Sequence, residues 1–436
     1  MHVVIVGGGW AGLAAAVELC HHGVRVTVLE AAPQLGGRAR GLDYTVNGQR
    51  IDNGQHLLLG AYRETLRLLN VVGIAEATVF ERRPLQLVYK AFGCADIRIT
   101  CPSLPAPLHL LTALLNAEGL TLPERLNALS ICRGLLRSGF NAGDDVSVAA
   151  WLSRNKQSPA LIRALWEPLC LAVLNTPLHN ASAQIFLRVL QDAFARSRSD
   201  SDLLLSRVDL GGTFPEPARR FIEQHGGTVK LSHRVKGITV QDNAVRKVSV
   251  NDHEITASHV ILAIPPNACQ RLLEPHTALR GIAQQLGEIS HEPICTVYIQ
   301  YPPQTRLEMP MIGLLDTTAQ WVFDRALYGQ PGLMAVVISG PGPHMAMRKD
   351  ELSAHAIAEL ARIFPHWATP EHSLVVREKS ATFACRPGIN TLRPSATTPV
   401  RGCWLAGDHT DTGYPATLEG AVRSGVECAR RIIAGG

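Results

Sequence analysis

The chain has 436 residues, 46% of them hydrophobic, 5% aromatic and 18% charged, with a formal net charge of +5. That length suits two domains with a large core, and scattered lysines and arginines with no basic block argue against a nucleic-acid partner. Ten cysteines without a CxxC pair read as reduced thiols rather than disulfides or a zinc site, no apolar run reaches the ~18 residues of a spanning helix, and a strand at residue 2 or 3 leaves no room for a signal peptide, so a cytoplasmic protein is expected.

Val3, Val4, Ile5 and Val6 are an apolar, β-branched run, as in a buried parallel strand. The strand leads into Gly7-x-Gly9-x-x-Gly12 and then an alanine-rich helix. Gly7 permits the tight turn, Gly9 lets backbone approach a pyrophosphate, and Gly12 lets helix and strand pack closely. His21 and His22 read as a surface helix end before a Gly23 cap. A second strand over residues 24–29 ends at Glu30, 18 residues after Gly12, near the ~20-residue spacing of the acid that holds ribose hydroxyls. This is a dinucleotide cradle. Gly36, Gly37 and Arg38 follow it directly.

From about residue 81 the texture changes. Prolines at 84, 102, 105 and 107 precede leucine-rich helical segments over 108–115, 122–136, 148–152 and 161–174. Residues 195–202 are polar and read as a linker or exposed turn. A helix is expected over 215–225. A strand at 228–231 is expected to continue through 233–238, with further strands at 244–250, 253–257 and 260–264. A second excursion over roughly 267–380 holds strands near 296–301, 321–323 and 333–338 and a helix around 354–364. Trp151 and Trp166 read as core rather than pocket.

At the far end, residues 403–406 read as a strand that delivers Gly407 and Asp408. A last helix begins around Thr417 and Leu418, and its free N–H groups and positive end favour a negatively charged partner.

These motifs resemble the FAD enzymes of the amine oxidase and phytoene desaturase superfamily. The resemblance rests on Gly36-Gly37-Arg38, on the block around Val235, and on the terminal GDHTDTGYPATLEGAVRSG beginning at Gly407. It implies an α/β fold: a Rossmann-like FAD-binding domain, glutathione-reductase-like and of amine oxidase type, with an inserted α+β substrate domain. Residues 1–80, 203–266 and 383–436 would form the FAD-binding domain, and 81–202 and 267–382 the substrate domain. It also implies non-covalent FAD, with Arg38, Gly54, Gln55, Val235 and Asp408 near the cofactor. The stretch from Asp52 to Tyr62 and the terminal motif are similar, more specifically, to the squalene-associated FAD-dependent desaturases, a family that includes hydroxysqualene dehydroxylases. His409 departs from the tryptophan expected there.

The implied reaction is reductive removal of an allylic hydroxyl from hydroxysqualene in squalene and hopanoid synthesis. Protonation of the leaving hydroxyl and an apolar cavity would be needed. A carotenoid- or dehydrosqualene-type desaturase is the alternative enzyme, and a non-catalytic lipid-binding chaperone on the same fold the alternative of another class. His56 is expected near the flavin as an acid, a cofactor contact or a structural hydrogen-bonding group. Tyr414 is the second candidate catalytic residue; it either lines the pocket or packs. With one dinucleotide fingerprint, an external electron donor is implied. A C30 isoprenoid partitions into bilayers, so peripheral contact with the inner face of the cytoplasmic membrane is expected through the leucines of 104–136. The other reading of those leucines is burial inside the substrate domain.

Overall fold

The computed structural model describes residues 1–46, 49–251 and 253–435. The first apolar run forms the strand His2–Val6, the middle of a five-stranded parallel sheet. The order is Thr228–Lys230, Arg25–Leu29, His2–Val6, His259–Leu262, Cys403–Leu405. Alternate residues of a strand face opposite sides. Val3 and Ile5 therefore join the core of the first and last helices, Trp10–His21 and Leu418–Ile433. Val4 and Val6 join the core that includes Val248 and Val250 of an antiparallel three-stranded sheet. The two terminal helices pack so closely that a Cβ on Gly425 would lie 2.0 Å from the carbonyl oxygen of Ala11.

The second layer is a seven-stranded sheet running from His372–Phe383 at one edge to Ile97–Thr100 at the other. Both excursions of the chain build it. Gln86–Lys90 from the first pairs in parallel with Met311–Leu314 from the second. Phe80–Arg83 and Leu58–Leu59 both pair with Leu203–Ser206, a small sheet between the two layers' chain segments. Leu108–Leu115 and Leu122–Ser138 form a helical hairpin. The second helix opens with a Thr121–Glu124 capping box and closes at Gly139 in the left-handed region, φ 62°.

Two expectations need correction, and one strand was not foreseen. Residues 228–238 are not one strand. The chain breaks at Ser232, φ 57°, where the amides of Ser232 and His233 donate to the carbonyls of Ala32 and Glu30. Val235–Gln241 then belongs to the three-stranded sheet. Residues 195–202 are not an exposed linker: Arg198–Ser201 is a short 3-10 helix with Asp200 and Asp202 buried. Arg63 and Arg82 pair with those carboxylates, which makes their burial tolerable. The 12-residue strand His372–Phe383 carries mixed polar residues and gave no periodic signal; it forms because it pairs along His291–Gln300.

Candidate functional site

The N-terminal turn is built by contacts rather than by flexibility. Gly12 touches Gly7, and a Cβ there would fall 2.0 Å from the Gly7 carbonyl oxygen. A Cβ on Gly9 would meet nothing closer than the Gly37 Cα at 3.8 Å. Gly9 caps the first helix without any side-chain hydrogen bond, and the first turn holds no acidic residue. The helix thus offers unoccupied N–H donors and its positive end to an anion beside an open glycine face. Glu30 accepts from the amides of Gly8 (2.6 Å) and Ala32 (2.7 Å), which fixes its carboxylate at the rim of the turn.

Gly36 and Gly37, both with positive φ, lie over this turn, and the Gly36 amide donates to the Gly8 carbonyl. Arg38 follows and reaches the other end of the chain: its Nη2 lies 2.5 Å from Asp408 Oδ1, and its Nη1 donates to the Ala381 carbonyl. Burial tends to raise the Asp408 carboxyl, but the Arg38 guanidinium overcomes this and, with His409, holds it well below the usual carboxylate range. Gly407 (φ 148°) donates its amide to Ser424 Oγ. Thr417 caps the last helix by accepting from the Gly420 amide, and Leu418 begins it. His409 is buried beside Asp408, Nδ1 to Oδ1 3.8 Å.

The segment from Gly54 to His56 comes from another direction. Gly54 has φ 123°. Arg325 Nη1 donates to Gln55 Oε1 (2.9 Å), and Gln55 Nε2 donates to the Tyr328 hydroxyl (2.7 Å). Arg325 also makes a buried, two-pronged contact with Asp52 Oδ2, both at 3.2 Å. Gln55 is therefore clamped from behind by a buried network. His56 Nδ1 lies 3.2 Å from the Gly54 carbonyl. A carbonyl only accepts, so Nδ1 carries the proton and Nε2 keeps its lone pair in the neutral ring. Burial, then the Gly54 carbonyl in the opposite sense and Arg38, leave the His56 pKa lowered from 6.5.

Gly7, Gly9, Glu30, Gly36, Gly37, Arg38, Gly54, Gln55, His56, Gly407, Asp408, His409, Thr417 and Leu418, together with Val235 and Tyr414, line one cavity of about 1160 Å³, whereas Gly12 and the Asp52–Arg325–Tyr328 network lie behind its wall. It exceeds the ~300–1,000 Å³ of a pocket for a single small ligand. One end is the glycine cradle. The other is walled by Leu85, Leu111, Leu114, Leu135, Trp321 and Phe323. Trp151 is core, but Trp166, read as core, also reaches the cavity wall while donating Nε1 to Gln157. The Tyr414 hydroxyl donates to Asp192 Oδ2 (2.6 Å), and the guanidinium groups of Arg188 and Arg423 lie 4.9 and 4.7 Å from its ring centroid. Tyr414 thus both lines the cavity and packs, with its hydroxyl engaged.

Sequence reasoning missed His291. It opens the strand His291–Gln300 and stands on the cavity wall, with no hydrogen bond to its ring among the described residues. Burial and then Arg38 lower its pKa from 6.5. A lone histidine at the head of an apolar strand was the only signal. Asn53 was missed as well; it donates to the Arg38 carbonyl and to Glu378, and so braces the Arg38 segment.

The residues present fit FAD: an open glycine face, an uncapped helix start and an arginine–aspartate pair where both chain ends meet. Residues 10–433 match the model of the flavin containing amine oxidoreductases, and the chain belongs to that family. It is an FAD-dependent oxidoreductase. Among its relatives is a hydroxysqualene dehydroxylase of Rhodopseudomonas palustris, 27% identical over 100% of this chain and 99% of the relative. Another is a 15-cis-phytoene desaturase of Solanum lycopersicum, 26% identical over 99% of this chain and 78% of the relative. A putrescine oxidase variant shares the fold, with a TM-score of 0.75 at 20% identity over 100% and 99% of the two chains. Among the described residues no helix is long and apolar enough to cross a membrane.

Proposed function

We propose that this flavoenzyme reductively removes the allylic hydroxyl of hydroxysqualene, giving squalene and water, within squalene and hopanoid synthesis. The observation that carries the reading is the continuity of one cavity, from the glycine cradle into a chamber walled by leucines and aromatic rings. Full-length similarity to hydroxysqualene dehydroxylases supports the same choice. Reduced FAD, when bound, supplies a hydride, and an external donor reduces it. The chain's own part is to bind an apolar substrate, exclude water and deliver a proton to the departing oxygen. Leu111, Leu114, Trp321 and Phe323 exclude water from an electron-poor allylic centre. Their neighbours Tyr89 and Trp166 add aromatic surface able to favour positive charge.

Of the four histidines that line the cavity, His233 is hydrogen-bonded to the Leu231 carbonyl and His409 is buried against Asp408, so the proton is assigned to His56 and His291. The test is anaerobic single turnover of hydroxysqualene by pre-reduced enzyme. Squalene as product supports the reading; absence of squalene under these conditions overturns it. The second reading is a desaturase, favoured by the similarity to phytoene desaturases. It would show itself as oxidation of phytoene or dehydrosqualene by the oxidised enzyme.

A further inference from the structure

Six of the exposed large apolar side chains lie in one short stretch: Leu104, Leu108, Leu115, Leu122, Leu126 and Leu136. At 3.6 residues per turn, Leu122, Leu126, Arg133, Leu136 and Arg137 fall within about 100° of the circumference of the helix Leu122–Ser138. The opposite side of that helix buries Ala128, Ile131 and Leu135. Leu108 and Leu115 stand seven residues apart, on one side of the preceding helix. The hairpin thus presents an unpartnered apolar face, of the kind that marks an interaction surface.

The leucines first expected to meet a membrane do not all belong to this face. Leu114 and Leu135 are buried, and Leu110, Leu111 and Leu114 line the cavity. Leu136 does both: it is 44% exposed and also part of the cavity wall. The apolar face and the apolar chamber are therefore joined through the hairpin itself. Arg133 and Arg137 are exposed within the stripe and have no ion-pair partner among the described residues. Over residues 104–138 the acids are Glu118 and Glu124, and Glu124 is engaged in its capping box. Leucines interleaved with free arginines match a bilayer bearing anionic phospholipid headgroups, which take both the apolar face and the charge.

We propose that the hairpin of residues 104–138 seats the protein on an anionic phospholipid bilayer. Apolar substrate then enters from the lipid past Leu136 without crossing water. The seating stands on the exposed face alone; only the route of entry rests on the proposed function.

The experiment is flotation of FAD-loaded protein with vesicles of phosphatidylcholine alone or mixed with phosphatidylglycerol. The wild type should float with the mixed vesicles and less with the neutral ones. A variant with Leu108, Leu115, Leu122 and Leu126 changed to Ser alters none of the cavity-lining residues. It should lose binding by on the order of tenfold or more, with flavin content and melting temperature unchanged. Arg133→Glu with Arg137→Glu should remove the preference for anionic vesicles. Failure of the wild type to float, or equal flotation of the folded leucine variant, overturns the seating. A wild-type dimer that the leucine variant dissolves, with no vesicle binding, would assign the face to a second copy instead and also overturns it. Flotation uses no substrate, so it can fail while conversion of hydroxysqualene in detergent succeeds, and the reverse.

Discussion

Arg38 Nη2 and Asp408 Oδ1, 370 residues apart in sequence, meet at 2.5 Å and join the first motif of the chain to the last. Asp408 is buried, and the Arg38 side chain is 35% exposed, its opening facing the cavity. Removing the guanidinium leaves a buried carboxylate without its cation.

Arg38→Met should therefore destabilise the protein by about 1–3 kcal/mol at pH 7, a figure discounted for the partial exposure of Arg38. The Asp408 pKa is depressed in the folded state, so the pair's contribution is complete above the ordinary carboxylate value of 3.8 and is lost as pH falls below it. Denaturant melts of both proteins from pH 7 downward should converge toward the acid end. A gap that stays constant with pH would mean the pair is not what the variant removed.

Two glycines of the first turn should separate cofactor binding from folding. A side chain at Gly9 meets open cavity, so Gly9→Val should fold and melt like FAD-stripped wild type but purify colourless. A side chain at Gly12 meets the Gly7 carbonyl at 2.0 Å, so Gly12→Val should fail to fold or melt far earlier. The flavin-to-protein absorbance ratio and a thermal melt decide the matter. Full flavin in Gly9→Val would misplace the phosphate site.

Tyr414→Phe removes one of two donors to Asp192 Oδ2 and leaves the other, Arg188 Nε at 3.1 Å. We expect a loss of about 0.5–1.5 kcal/mol in stability, the net value of one hydrogen bond, and single-turnover conversion within a few-fold of wild type. A rate loss of about 100-fold, the scale of a missing acid, would instead give the phenol a direct part in the reaction.

The proton source can be read from pH dependence. Burial first, with Arg38, leaves the His56 and His291 pKa values lowered from 6.5, so both rings are neutral at pH 7. Whichever acts as acid must first gain a proton, and single-turnover rate should rise as pH falls below 6.5. His56→Ala should slow conversion by about 100-fold or more and flatten that rise, with FAD retained. Persistence of the rise in His56→Ala and its disappearance in His291→Asn would transfer the role to His291. Stability should move the opposite way: buried neutral histidines favour the fold fully above 6.5 and progressively less below it, because the unfolded chain binds the protons.

The parts whose physics is local could be read from the residues alone. The strand–glycine–helix cradle was legible because a turn this tight, a close backbone approach and a buried β-branched run each demand particular residues in a fixed order. The family followed from those motifs, and FAD with it. The leucine-rich helices were legible too, because their apolar content is local. What the sequence could not contain was any relationship that depends on a distant partner. Asp200 and Asp202 look like linker residues until Arg63 and Arg82 arrive. His372–Phe383 becomes a strand only by pairing with a strand begun some 80 residues earlier. His291 gains meaning from the cavity it faces, and Gln55 from the buried Arg325 behind it. Which leucines of the hairpin look outward and which line the chamber depends on the helix rotation, and that rotation is fixed by packing against the rest of the molecule.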